Sequence, residues 1–465
     1  MRQEASSVNM QREDATSLFF DTALLVDGWA NNVRIETEGG CVRAIERDVA
    51  RRTGDEHHKI ALPGLPNVHS HAFQRGMAGL AETRGAGSDS FWTWRDIMYR
   101  FVDRVTPDDM RAIAAMAYVE MLESGFTRVG EFHYLHHDRD GAPFSDPAEM
   151  SAAIAGAAAE SGIALTLLPV FYAYSGFGAA PPGQGQRRFV HDLDGFAQLL
   201  DAGRAALRSL EDAVLGVAPH SLRAVSPIEL GAVAGMVREG PVHIHIAEQR
   251  REVEDCIAWS GQRPVEWLLD HAPVDDRWCL VHATHVTNEE IQGIAASGAT
   301  VGLCPITEAN LGDGLFPAEA FLRHGGRYGI GSDSNVLVDA TEELRLLEYG
   351  QRLACLSRNV FAGGANRSTG EALYRAALAG GAAACGAAPG IAPGLPADLI
   401  SLDADHPSLA ERQGSALLDG LIFSAGRAAI DCVWRRGRRV VSAGRHCRRD
   451  GIVRRYRAAL AGLLA

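Results

Sequence analysis

The chain has 465 residues, 46% of them hydrophobic and 22% charged, with a formal net charge of −13. That composition builds a large core and excludes a disordered chain, while the acidic balance excludes a nucleic-acid partner held on a basic face. No hydrophobic signal core opens the sequence and no apolar run is long enough to cross a bilayer, so the expectation is a cytoplasmic protein without a membrane partner.

Residues 1–17 read as a polar, flexible leader. From 18 to 49 the pattern is short, alternating and cut by Asp27-Gly28, Asn31-Asn32 and Gly39-Gly40, which is strand and hairpin chemistry. This stretch is too small to fold alone. Its natural partners are the short strand-like runs DLISLD from Asp398 and AIDCVWRRGRRVV from Ala429. The expectation is a small β-sandwich domain assembled from 18–62 and 394–465, with a second domain of residues 63–393 inserted between. The arginines of the tail (435, 436, 438, 439, 445, 448, 449, 454 and 455) read as a solvated surface. The eight cysteines, at 41, 256, 279, 304, 355, 385, 432 and 447, form no C-x-x-C pair; several sit in apolar strand patterns, as reduced core thiols do.

The inserted region repeats a strand-then-helix rhythm eight times, with strands expected at 60–71, 127–134, 164–172, 213–221, 241–248, 278–285, 300–308 and 327–335. Between them, Thr106-Pro107 and Ser226-Pro227 look like helix starts and Thr287 to Glu290 has capping-box spacing. Gly125, Gly162, Gly240 and Gly298 stand where helices should end. The fold class expected is α/β, a (β/α)8 TIM-like barrel; a doubly wound open sheet is the second choice, weakened by the lack of G-x-G-x-x-G after the first strand.

In such a barrel the C-terminal strand ends carry the chemistry. The first ends in His69 and His71, two residues apart and so on one face, an arrangement that suits a transition metal. The second ends in Glu131, His133 and Tyr134, and the fourth in His220 with Arg223 just beyond. The fifth carries His243, His245 and Glu248, the sixth His282 and His285, and the eighth Ser332, Asp333 and Ser334. On spacing alone His243 and His245 are equivalent candidates for a metal.

This pattern, from 18 to 441, resembles the amidohydrolase superfamily, in which His69-Ser70-His71, His245, His282 and Asp333 match the family's positions. The fourth strand, AVLGVAPHS, lacks the lysine of two-metal members, so one metal is implied. More narrowly, LPGLPNVHSHAFQRGMAGLAE, FWTWR, GVAPHSLRAV, HIHIAEQ, HATH and GSDSN resemble the N-formimino-L-glutamate iminohydrolases (formiminoglutamate deiminases) of histidine degradation. The resemblance implies Zn2+ on His69, His71, His245 and Asp333, with acid–base work by Glu248, His282 and Asp333. It implies that Gln74, Arg95, Tyr134, His220 and Arg223 bind the substrate's carboxylates. Three imidazoles, one carboxylate and an open position also describe a catalytic zinc site on general grounds, although ligand type does not separate zinc from other divalent ions.

Arg95 and Arg223 are natural partners for a dicarboxylate, although Arg95 can also be read as stacked on Trp92 or Trp94. A related aminohydrolase acting on a purine, pyrimidine or triazine ring is the alternative function, and a non-catalytic scaffold is a more distant one. Helix 341–356 is the candidate face of a homodimer, and the glycine-rich loop 79–91 is expected to close over substrate.

Overall fold

The computed structural model describes residues 16–84, 91–363 and 367–465. Eight parallel strand positions surround its centre: Leu65–Ser70, Phe126–His133, Ala164–Phe171, a fourth split into Val214–Leu215 and Ala218–Pro219, then Val242–Ile246, Trp278–His282, Thr300–Leu303 and Arg327–Ile330. The sheet runs from the fifth strand through the sixth, seventh, eighth, first, second and third to the fourth. Parallel bridges Val217–Val242 and Ser221–His245 join its two ends and close the barrel. These strands are buried almost throughout, as parallel strands covered on both faces must be. The fourth is split at Gly216, where a Cβ would lie 2.4 Å from the Pro241 carbonyl oxygen.

The first, seventh and eighth strands differ most from the sequence expectation, each for a local reason. The run 60–71 serves two sheets: Glu56–Pro63 belongs to the terminal sheet, Leu65–Ser70 to the barrel, and the switch falls at Gly64. There a Cβ would stand 2.2 Å from Thr127 Cγ2. The seventh strand stops at Leu303 because Pro305 opens the helix Pro305–Leu311. The eighth stops at Ile330, since Asp333 (φ 44°) and Asn335 (φ 54°) adopt left-handed backbone.

Most of the helix ends are as expected. Thr106, Ser226 and Thr287 cap Pro107–Glu123, Pro227–Met236 and Asn288–Ser297 through capping boxes, and Gly162 and Gly298 close helices in left-handed geometry. Gly125, with φ 96°, directly follows the Ser124 cap. Gly240 has another role. The helix before it ends at Met236, and Gly240 packs so closely on the fourth strand that a Cβ would meet Leu215 O at 2.2 Å.

The two ends of the chain meet in one continuous eight-stranded sheet. Its order is Arg445–His446, Arg438–Ser442, Ile430–Arg435, Leu399–Leu402, Glu56–Pro63, Thr16–Leu25, Gly28–Glu38 and Cys41–Glu46. Leu18, Phe20, Val33, Ile35, Leu399 and Trp434 form its core. The segment 394–465 does more than complete this sheet: the final helix Arg449–Leu464 packs on the barrel helix Pro107–Glu123, and Tyr456 donates to Arg75 O at 3.2 Å. Arg435 also departs from the solvated-surface reading of the tail. It is buried, donates to Gly162 O at 3.2 Å and pairs with Asp212 at 2.8 Å and with Asp398, clamping sheet to barrel. All eight cysteines are free thiols, and Cys279, Cys304 and Cys385 pack with Val68 and Val281 inside the barrel. Residues 1–15 of the expected leader and 85–90 of the expected lid loop lie outside the described residues.

Candidate active site

Four donors converge where the barrel strands end. His69 Nε2 lies 3.2 Å from His71 Nε2, 3.0 Å from His245 Nε2 and 3.4 Å from Asp333 Oδ1, and His71 Nε2 lies 3.2 Å from the same oxygen. The two-residue period of a strand puts His69 and His71 on one face. His71 Nδ1 faces Phe132 O at 2.8 Å and His245 Nδ1 faces His220 O at 3.2 Å, so in both rings Nε2 is left as the lone-pair donor. Lone pairs this close repel unless something positive lies between them. A tetrahedral zinc ion with bonds of about 2.0–2.1 Å spaces its ligands about 3.3 Å apart, which is the spacing seen. The residues fit such an ion.

The backbone locks this arrangement. Asp333 N donates to His69 O at 2.9 Å and His71 N donates to Asp333 O at 2.9 Å, joining the first and eighth strand ends reciprocally. Asn335 Nδ2 adds hydrogen bonds to His71 O, Asp333 O and Ser70 Oγ. Burial pushes the His69 imidazole down to about 3, keeping it neutral.

Beside the donors stand His282 and Glu248. Left-handed backbone at Ala247 (φ 50°), just past the fifth strand, and at His282 (φ 68°), the last residue of the sixth, turns Glu248 and His282 inward. His282 Nε2 is 3.9 Å from Glu248 Oε1 and 3.8 Å from Asp333 Oδ2, and its Nδ1 is 3.3 Å from Glu308 Oε1. Burial opposes a charge on His282, yet Glu248, Glu308 and Asp333 raise it to about 10. Burial lifts Glu248 to about 7, against the pull of His282. An acid–base group poised near neutrality is what proton transfer at pH 7 requires.

The walls of the cavity over these groups include Gln74, Arg95, Tyr134, His220 and Arg223. The Arg95 guanidinium sits 4.5 Å above Trp92 and 5.5 Å from Tyr99, so it both stacks and lines the pocket. Arg223 lies 5.9 Å from the same Trp92 ring. The Nε atoms of both arginines are buried without a hydrogen-bond partner among the described residues. Gln74 Nε2 donates to Tyr134 Oη at 2.9 Å, leaving Gln74 Oε1 unsatisfied. Burial and the neighbouring Arg223 hold His220 well below its ordinary pKa, as a neutral ring.

Every residue that the family resemblance implies for metal, substrate or acid–base work lies at this centre. His243 is elsewhere, bonded to Ala384 O at 2.7 Å inside the barrel, which separates it from His245. Glu131 accepts from Ala72 N at 2.6 Å behind the first strand end. The sequence reading missed Glu308, Tyr99, Tyr172 and Phe189. Glu308 was the last residue of the expected seventh strand, and that position was the available signal. Tyr172, the last residue of the expected third strand, carried the same signal; Tyr99 and Phe189 carried none.

Comparison with known proteins agrees with this geometry. The Amidohydrolase family model matches residues 60–440, and that of Formimidoylglutamate deiminase HutF, N-terminal domain, matches 16–59. A Pseudomonas aeruginosa formimidoylglutamate deiminase is 50% identical, covering 97% of this chain and 100% of its own length. A 5-methylthioadenosine/S-adenosylhomocysteine deaminase of Natronomonas pharaonis is 28% identical over 81% of each chain. The crystal structure of an amidohydrolase from Brucella melitensis superposes with a TM-score of 0.94 at 54% identity, covering 97% of this chain and 100% of that one.

Proposed function

The chain belongs to the amidohydrolase family, and we propose that within it this protein is a formimidoylglutamate deiminase, hydrolysing N-formimino-L-glutamate to N-formyl-L-glutamate and ammonia in histidine degradation. One observation carries the substrate assignment. Two guanidinium groups, Arg95 and Arg223, each with a buried and unspent Nε, share a pocket with a His-His-His-Asp cluster. A guanidinium binds a carboxylate through two parallel hydrogen bonds, and this substrate has two carboxylates.

The metal is proposed to be Zn2+, one per chain, held by His69, His71, His245 and Asp333; when bound it supplies Lewis acidity that lowers the pKa of water toward about 7. Arg95, Arg223 and His220, with Gln74 and Tyr134, hold the substrate's carboxylates so that its formimino carbon faces these residues. Asp333 receives the proton of the attacking water. His282, protonated and fixed through Nδ1 by Glu308, orients the oxygen with its Nε2–H. Glu248 carries the proton to the departing nitrogen, the C–N bond breaks and ammonia leaves.

A zinc aminohydrolase acting on a ring is the second reading, favoured by the aromatic walls Tyr99, Tyr172 and Phe189. Ammonia release from N-formimino-L-glutamate beside guanine, cytosine and adenosine separates the two. The protein is further proposed to act in the cytoplasm as a homodimer. No helix among the described residues is long and apolar enough to cross a membrane. The helix Ala340–Cys355 and its cap leave Tyr349, Leu353 and Leu356 exposed, an apolar stripe suited to a second copy.

A further inference from the structure

Away from the barrel mouth, the terminal sheet contains a second convergence of metal-binding side chains. Ser401 pairs with Cys432 while Leu402 pairs with Ile430, so Asp431 is the extra residue of a β-bulge. Neighbours in a regular strand point to opposite faces; a bulge re-aims one of them. Asp431 Oδ2 consequently stands 3.4 Å from Cys432 Sγ and 3.6 Å from His58 Nδ1 on the strand Glu56–Pro63. One donor atom from each of the three residues lies within 4.8 Å of the others.

The surroundings prepare His58 as a ligand. Its Nε2 is 2.8 Å from Glu56 Oε1, and Arg439 donates to that same oxygen at 2.8 Å. A histidine that ligates through one nitrogen commonly donates the other N–H to a carboxylate, which leaves the Nδ1 lone pair facing Asp431. The ring is held edge-on against Trp434 at 4.8 Å. Ser401 Oγ lies 3.3 Å from Asp431 Oδ2 and accepts from Cys432 N at 3.1 Å, fixing the bulge from the central strand.

We propose that His58 Nδ1, Asp431 Oδ2 and Cys432 Sγ form a second cation site, for a thiophilic divalent ion such as Zn2+. With bonds of about 2.0–2.2 Å to nitrogen and oxygen and about 2.3 Å to sulfur, a tetrahedral ion places its N and O donors about 3.4 Å apart and its O and S donors about 3.5 Å apart. The separations are 3.6 and 3.4 Å. A neutral imidazole, a carboxylate and a thiolate together cancel the ion's double charge, and Cys432 gives its proton to solvent as the ion binds. The Asp431 side chain is 33% exposed, so water reaches the fourth position. The ion would staple the strand that continues through Gly64 to His69 and His71 onto the strand Ile430–Arg435.

The test is the zinc content of the full-length protein after metal removal, reloading with Zn2+ and clearance of excess, with Co2+ loading as a parallel probe. Cys432→Ser and His58→Ala each lose one zinc equivalent relative to wild type while keeping full ammonia release. The cobalt protein shows a sulfur-to-metal charge-transfer band that Cys432→Ser abolishes. Equal zinc content in wild type and Cys432→Ser, no such band in the wild-type cobalt protein, or a band that survives Cys432→Ser overturns the proposal. The wild-type spectrum needs no variant, so a variant that fails to fold does not protect the proposal.

Discussion

Arg223 is 9% exposed, has an unspent Nε and faces the cavity, and these three facts set the cost of removing it. Arg223→Ala is expected to lower kcat/KM by about a hundredfold, or about 2.7 kcal/mol, mostly through a higher KM, because the lost charge-assisted hydrogen bonds hold ground state and transition state alike. Arg223→Lys should recover only part of this, since an ammonium does not reproduce the planar fork. Steady-state kinetics of both variants on N-formimino-L-glutamate check the point; an unchanged KM contradicts it. Asp333→Asn, by contrast, should abolish turnover and weaken metal retention together, since this one side chain touches both His69 and His71. At this scale the sequence was most legible where spacing carries direction. His69 and His71 share a face because strands have period two, and Asp333 closes the last strand. The stacking of Arg95 on Trp92 was one of the sequence's own readings, whereas the anchoring of His282 by Glu308 joins residues by packing, which leaves no periodic trace.

Among the elements, the contact between the two sheets depends on Arg435. Its guanidinium is buried between Asp212 and Asp398, so Arg435→Ala leaves Asp398 without its guanidinium partner and Asp212 with only Arg128 at 3.3 Å. The expected loss is about 3–5 kcal/mol of unfolding free energy, read as a lower urea midpoint; a loss below 1 kcal/mol would mean that the clamp contributes nothing. The strand-then-helix order and the helix starts were legible because caps and prolines act locally, as Thr106, Ser226 and Thr287 show. The switch at Gly64 and the early end of the helix before Gly240 were not. Both depend on a close approach to a distant segment, Thr127 in one case and Leu215 in the other. The burial of Arg435 was hidden for the same reason, since its partners are 223 and 37 residues away in sequence.

For the whole molecule, buried histidines outside the metal cluster set the response to acid. Burial depresses His133 and His191 to about 3 and His243 to about 4, below the ordinary 6.5. Between those values and pH 6.5 the unfolded chain binds protons that the folded chain refuses. Stability is therefore whole above pH 6.5 and falls as the pH drops toward 4, by up to about 1.4 kcal/mol per pH unit for each ring. Urea unfolding at pH 7, 6 and 5 should show this slope, and His243→Gln should flatten it; a midpoint constant from pH 7 to 5 contradicts it. Assembly is the other property at this scale. Leu353→Asp with Leu356→Asp should convert a dimer to a monomer in sedimentation, and a wild-type monomer would refute the proposed face.

The central claim joins the metal cluster to a carboxylate-binding pocket, and ammonia release by the purified, zinc-loaded protein tests it most directly. The substrates to compare are N-formimino-L-glutamate, guanine, cytosine and adenosine. Rapid release from the formimino compound alone, lost in Asp333→Asn and sharply reduced in Arg223→Ala, is the expected result. Turnover of a ring substrate in its place, indifferent to Arg223→Ala, would contradict the account while leaving the barrel and the His-His-His-Asp cluster intact.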